Sequence, residues 1–186
     1  MLVDFNALPP PDCYRLMIQA IVPRPVAWVL SDNGDSTLNL APYSFFTAIS
    51  SDPPLLRFSA GKKPDGTPKD TLHNASERGH FVVHIAHREL APEVTESSRS
   101  LPHGDSELLR SQLQTTPFGD FVLPRLAVCR IAMACELHQI TSLRDVPQRL
   151  LEEGLDRLQH RNRAGHRGQR PPGRAPGRRH HRGGGG

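Results

Sequence analysis

The chain reads as all-β, a barrel or sandwich carrying a few short helices. Three observations predict this. Its apolar runs are short, as in Val26–Leu30, Leu55–Ala60 and His80–Ala86. Clusters of Gly, Pro, Asn and Asp separate them, with Asn33-Gly34 the strongest hairpin signal. The runs also fail to alternate with long helical periods, as the crossovers of a parallel sheet would require.

Taken in order, Pro9-Pro10-Pro11 is read as a helix breaker, with Asp12 capping a short helix over Cys13–Ile21. Pro23-Arg24-Pro25 forces extended backbone into a strand over Val26–Leu30. Ser31–Ser36 turns the chain, and Thr37–Leu40 returns it into the segment Pro42–Ser51. Asp52-Pro53-Pro54 ends that run and Leu55–Ala60 is the next strand. Thr67–Arg78 predicts a helix: Thr67 as N-cap, Pro68 at its first position, Asp70 in its first turn, Gly79 past its end. His80–Ala86 is a strand, Glu89–Ser98 and Ser106–Gln112 are helical stretches, and Leu126–Ile140 makes one or two strands.

A length of 186 residues suits one domain with a real core. The hydrophobic share, 37%, is low for such a domain, and the shortfall is uneven. Residues 1–144 carry 13 Lys+Arg against 15 Asp+Glu, a net of −2, whereas residues 145–186 carry 10 Arg against 4 acids, a net of +6. The basic character therefore belongs to the tail. Val146–Gln159 predicts a short helix, but Arg161–Gly186 is Arg, Gly, Pro and His with too little apolar surface to offset chain entropy, so disorder is expected there. The division is a domain over 1–144 and an Arg/Gly/Pro-rich, mostly disordered tail over 145–186.

Cys13, Cys129 and Cys135 form no CxxC and no even framework, which fits a reducing compartment. The N-terminus lacks the basic and apolar blocks of a signal peptide, and no segment has the length of a membrane span. The expectation is a cytoplasmic protein that does not engage membranes.

The chemistry concentrates in Asn39–Pro54 and Gly61–Thr71. A hydroxyl-rich, partly aromatic strand precedes a turn holding Lys62, Lys63 and Lys69. Lys69, Asp70 and Thr71 fall in the first turn of the predicted helix, where a cation, a hydroxyl and unbonded backbone N–H groups suit a phosphate. Ser44, Ser50 and Ser51 add hydroxyls, while Tyr43, Phe45 and Phe46 offer stacking surface for a flat ring. The plainer alternative stays open at this point: Phe45, Phe46 and Ile49 as core, the serines as ordinary strand and turn residues.

Other signals exclude more than they propose. Gly61–Gly66 has part of a P-loop spacing, but Thr67-Pro68 stands where Lys-Ser/Thr is required. No GxGxxG supports a dinucleotide domain, and Ser44 lacks a nucleophile elbow. His80, His84 and His87 lack carboxylate or cysteine partners at ligand spacing and read as surface histidines, so no metal is expected. The Arg-rich tail, without interleaved aromatics, supports only unspecific, salt-sensitive contact with nucleic acid.

Several motifs also stand in a fixed order: Pro23–Ala27, Asn39–Phe46, Ser51–Pro54, Gly61–Gly66, Lys69–Thr71 and Gly79–Val83, with a weaker continuation through Pro124-Arg125 to Glu136. Over about residues 12–144 the sequence resembles the flavin reductase-like proteins. The resemblance implies a split β-barrel of Greek-key character binding FMN, or FAD in some members, at a homodimer interface. It implies NAD(P)H as a transient hydride donor and onward electron transfer to an acceptor protein or monooxygenase partner. A non-catalytic FMN-binding electron carrier is the alternative. Mapped residue by residue, it implies flavin contacts from Ser44, Phe45, Phe46, Thr47, Ser50, Ser51, Lys69, Asp70 and Thr71, and no side chain with an acid/base role.

Two departures accompany the resemblance. His84 stands where the family strand often has Asn. Past Arg144 the sequence resembles a GC-rich reading frame translated out of register, an inactive frameshifted ending, with an original basic tail as the alternative. Loss of the late strands would leave an unpaired edge and an uncovered apolar face.

Overall fold

The computed structural model describes residues 2–99, 108, 111–143 and 149–160. A helix, α1 (Pro10–Ala20), leads into the strands β1 (Ala27–Asp32), β2 (Leu38–Tyr43), β3 (Phe46–Ser51) and β4 (Pro54–Ala60). Helix α2 (Asp70–Arg78) and strand β5 (His80–Ile85) follow, then a 3₁₀ turn (Arg88–Leu90) running into α3 (Ala91–Glu96). The chain continues with β6 (Thr115–Thr116), β7 (Arg125–Leu126), β8 (Ile131–Ser142) and β9 (Arg149–His160).

Seven strands form one sheet in the order β2-β1-β5-β8-β9-β4-β3, and every described pairing in it is antiparallel. The sheet's two edges, β2 and β3, are consecutive in the chain and joined only by Ser44-Phe45. So short a join between opposite edges forces the sheet to curl into a half-barrel. The Ser59 amide donates to the Phe45 carbonyl at 2.9 Å and pins the corner.

The curl separates two apolar layers. The concave layer holds Val29, Tyr43, Phe58, Phe81 and Leu151, with Leu72 and Ala75 of α2. The convex layer holds Trp28, Leu30, Leu40 and Val82 under the later loops, through Phe118, Leu123 and Leu126. Alternation along each strand sorts side chains between the layers, so β1 and β5 are buried on both faces.

Most expected elements are present, with three instructive shifts. Pro10 and Pro11 form the first turn of α1 instead of breaking it, because that turn needs no N–H donors from them. Helix α2 starts at Asp70 with Lys69 as its cap; Thr67 instead closes a turn on Asp65, its amide 2.9 Å from Oδ1. The largest correction concerns 146–159. The described part of that segment is strand β9, which pairs with β8 on one side and β4 on the other. Two neighbouring strands in need of partners outweigh a weak helical preference, and Gly154 mid-segment already counts against a helix. The slot expected to stand empty is thus filled. The tail calls over 161–186, and most of the helix over 106–112, lie outside the described residues.

Two glycines are dictated by backbone. Gly34 has φ +86° in the β1–β2 turn, and a Cβ there would also strike the Arg78 guanidinium. Gly79 ends α2 in the left-handed region, φ +75°, its amide returning to the Ala75 carbonyl at 2.9 Å.

Candidate functional site

Two adjoining cavities of about 250 Å³ each open along the end of β2, beside the start of α2. They share Tyr14, Pro42, Tyr43, Ser44 and Lys69. The first is the more charged, taking in Lys63, Asp70 and Thr71, with Ser97, Ser98 and Arg99 after α3 forming another wall.

A buried polar network sets the start of α2 against the hairpin. Asn39 Nδ2 donates to Thr71 Oγ1 at 2.8 Å and approaches Ser31 Oγ at 3.3 Å. Asn74 Nδ2 donates to Ser31 Oγ at 3.1 Å and Asn33 Oδ1 at 2.9 Å. Since Thr71 Oγ1 accepts the Asn39 bond, its own O–H remains a donor. The first turn of α2 leaves backbone N–H groups without intrahelical acceptors, and the helix dipole favours negative charge there.

Three cations border this point. Lys63 Nζ pairs with Asp70 Oδ1 at 2.8 Å. Arg99 Nε lies 3.2 Å from Glu96 Oε2. Lys69 stands over the Tyr43 ring, Nζ 5.6 Å from its centroid, and burial lowers its pKa. A desolvated ammonium beside hydroxyls and amide donors is a receptor for an anionic oxygen group.

The aromatic end is built from α1. Tyr14 packs edge to face on Phe45, centroids 5.5 Å apart, and its hydroxyl lies 3.3 Å from Ser44 Oγ. Arg24 fastens the end of α1 to the corner, donating to the carbonyls of Ile18, Ile21 and Ser44.

Of the sequence-predicted residues, Ser44, Lys69, Asp70 and Thr71 line the charged cavity, and Phe45 lines its neighbour. Phe46 and Thr47 line a different cavity on β3, and Phe46 also packs on the concave core. Ser50 and Ser51 lie at the far end of β3, opposite Leu55 and Pro54, and line none of these cavities. Sequence reasoning missed Tyr14, Lys63 as a wall residue, and Ser97–Arg99. Ser-Ser-Arg before a Pro/Gly break was a legible anion-binding composition, but only the fold brings it opposite α2.

His84 corrects two expectations. It is fully buried, not a surface residue. The Leu126 amide donates to its Nε2 at 3.0 Å, so Nδ1 carries the proton and donates to the Trp28 carbonyl at 3.1 Å. The side chain thus makes two structural polar contacts, which tie β5 to β7 and β1. Burial pushes the imidazole pKa down to about 4, so it is neutral at ordinary pH. Trp28 Nε1 in turn donates to Ser97 Oγ at 2.8 Å, carrying this structural bridge to the cavity wall.

A family model for the flavin reductase like domain matches residues 19–151. The chain belongs to that family. An uncharacterized protein from Halalkalibacterium halodurans is 38% identical over 140 residues, covering 75% of this chain and 67% of that protein. Bacillus subtilis YwrF, also uncharacterized, is 35% identical over 128 residues, covering 69% and 62%. The chain thus spans about two thirds of the length of these curated relatives. Among solved structures, nitrilotriacetate monooxygenase component B from Bacillus cereus superposes with a TM-score of 0.77 at 32% identity, covering 86% of this chain and 81% of that one. The 2-nitrobenzoate 2-nitroreductase of Pseudomonas fluorescens gives 0.76 at 27% identity, covering 87% and 77%. The split-barrel fold expected from the sequence is the fold of these relatives, and family membership extends past Arg144 into β9.

Proposed function

We propose that this chain binds FMN and serves as an NAD(P)H-dependent flavin oxidoreductase. The observation that carries the reading is the cation- and hydroxyl-lined cavity at the start of α2, continuous with an aromatic corner. In this reading the ribityl phosphate is held by Lys69, the Thr71 hydroxyl, the first N–H groups of α2, and Ser97–Arg99 across the cavity. Lys63 is tied to Asp70 and steadies the turn. The ring lies along Ser44–Phe45, with Tyr14 closing over it. Thr47, Phe46, Ser50 and Ser51 then contribute only if the ring, or a second copy, extends along β3.

FMN itself supplies the hydride chemistry when bound; the protein's task is to orient it and limit water. No side chain in the cavity is assigned an acid/base step, consistent with a flavin that needs none from the protein. Nicotinamide as the hydride donor, a homodimer, and delivery of electrons to an oxygenase component are further parts of the proposal, with FAD the alternative cofactor. The named similarity to a monooxygenase component supports the last of these. Among the described residues no helix is long and apolar enough to cross a membrane. A cytoplasmic location is proposed from Cys13, Cys129 and Cys135, which are free of disulfides.

The test is an absorption spectrum of the full chain after incubation with FMN and desalting. Retained flavin near one per chain is expected, with riboflavin washing out because it lacks the phosphate. Equal retention of both would overturn the phosphate assignment. NADH or NADPH oxidation on adding flavin then separates an oxidoreductase from a non-catalytic carrier.

A further inference from the structure

A chain of side-chain hydrogen bonds runs from the exposed β1–β2 turn to the floor of the charged cavity. Its direction is set at the outer end, because a carboxylate can only accept. Thr37 Oγ1 therefore donates to Asp35 Oδ1 at 2.5 Å and accepts from Asn33 Nδ2 at 2.9 Å. That turns Asn33 Oδ1 toward Asn74, whose Nδ2 donates to it at 2.9 Å and to Ser31 Oγ at 3.1 Å. Ser31 Oγ keeps its second lone pair for Asn39 Nδ2 at 3.3 Å. The same nitrogen donates to Thr71 Oγ1 at 2.8 Å.

The inner end of this chain decides how Thr71 meets the cavity. Asn39 and Thr71 are both buried, and both line the cavity at the start of α2. With Asn39 presenting its amide nitrogen, Thr71 Oγ1 accepts there and its O–H is left to donate elsewhere. Were Asn39 to present an oxygen, that O–H would be consumed and only a hydroxyl lone pair would be left to face an anion. The first arrangement attracts an anionic oxygen and the second repels it. Ser31 belongs to β1, Asn39 to β2 and Asn74 to α2, so the arrangement is held by three packed elements.

We propose that Asn39 is a positioning residue for anion binding at the start of α2, acting through Thr71 by keeping that hydroxyl a donor. The inference rests on the reading of this cavity as the seat of the FMN phosphate.

Fluorescence titration of the full chain with FMN and with riboflavin tests it, read as the ratio of the two affinities. Ring contacts are common to both flavins, so a merely structural loss cancels from the ratio. Asn39→Asp keeps the shape but can only accept from Thr71, and is expected to lower the ratio roughly tenfold or more. Asn39→Leu, uncharged and close in size, removes the constraint without reversing it and is expected to lower the ratio about threefold. In a Thr71→Val background, which lacks the hydroxyl, neither substitution should lower the ratio by more than about twofold. That background separates the aiming of the hydroxyl from repulsion by a new carboxylate. An unchanged ratio in both Asn39 variants overturns the proposal, and so does a fall that persists in full in the Thr71→Val background. A wild-type ratio near one overturns the FMN-phosphate reading itself, and this inference with it.

Discussion

Two buried polar residues, His84 on the convex face of β5 and Glu153 on the concave face of β9, sit in the same sheet and are treated oppositely. His84 is fully buried with both nitrogens bonded, to the Trp28 carbonyl and the Leu126 amide. Glu153 is fully buried too, but neither carboxylate oxygen has a hydrogen-bond partner. Burial raises its pKa to about 8, and its charge helps push the buried Cys135 thiol up as well. The difference separates a region whose sequence is fitted to its place from one held chiefly by strand pairing. Around the site, the buried groups that position α2 and the cavity wall are linked in hydrogen-bonded networks. In β9 the backbone pairs with β8 and β4, with register shifts against β8 at Ala134/Cys135 and Leu137/Gln139, while an inward side chain is costly.

The comparison is broken most directly by pH. The folded state keeps the Glu153 proton up to about pH 8, whereas an unfolded chain releases it near its ordinary value of 4.5. Stability from this group is therefore fully present below about pH 4.5 and falls as pH rises toward 8, by an amount on the order of a few kcal/mol. Because His84 contributes with the opposite sign below about pH 6.5, urea midpoints should fall chiefly between about pH 6.5 and 8. Glu153→Gln should flatten that slope and raise the midpoint at pH 8; an unchanged slope would mean Glu153 is not buried as an acid.

His84 should show the mirror image. Its folded pKa of about 4 lies below the ordinary 6.5, so its contribution is present above 6.5 and lost as pH falls toward 4. His84→Leu leaves the Leu126 amide and Trp28 carbonyl unpaired and should cost about 2–4 kcal/mol at pH 7. Denaturant unfolding would register this as a lower midpoint with little change in slope.

Smaller effects sharpen the contrast on the site side. Lys69→Ala should weaken FMN binding roughly 10- to 100-fold, as expected for loss of a partly desolvated charge-assisted contact, while leaving riboflavin binding nearly unchanged. Flavin fluorescence titration measures both. Ser97→Ala removes the acceptor for Trp28 Nε1 and should cost about 1 kcal/mol, with a shift in the emission of the chain's single tryptophan.

The family match continues past Arg144 to Leu151, so we propose that any displaced reading frame lies beyond it; the unpartnered buried acid Glu153, just past that end, is what an unfitted sequence would place there. The nucleotide sequence from the Arg144 codon through the Glu153 codon decides this. An alternative frame encoding a β-rich ending is the expected result, and its absence would leave an original basic tail.

Much of the architecture was legible because it depends on local chemistry. Asn33-Gly34 fixes a hairpin, Asp70 and Gly79 bracket a helix, and Val26–Leu30 and His80–Ala86 have the composition of buried strands. The motifs from Pro23 to Val83 carried the family. The cationic half of the site was legible too, since Lys69, Asp70 and Thr71 share one helix start. What only the tertiary structure decided were matters of partnership. Tyr14 meets Ser44, Ser97–Arg99 face Lys69, and His84 finds Leu126, each across a sequence separation that no periodicity encodes. The segment 149–160 became a strand because β4 and β8 each offered it a line of hydrogen bonds. That reward exists only once the rest of the sheet has curled around the vacant place.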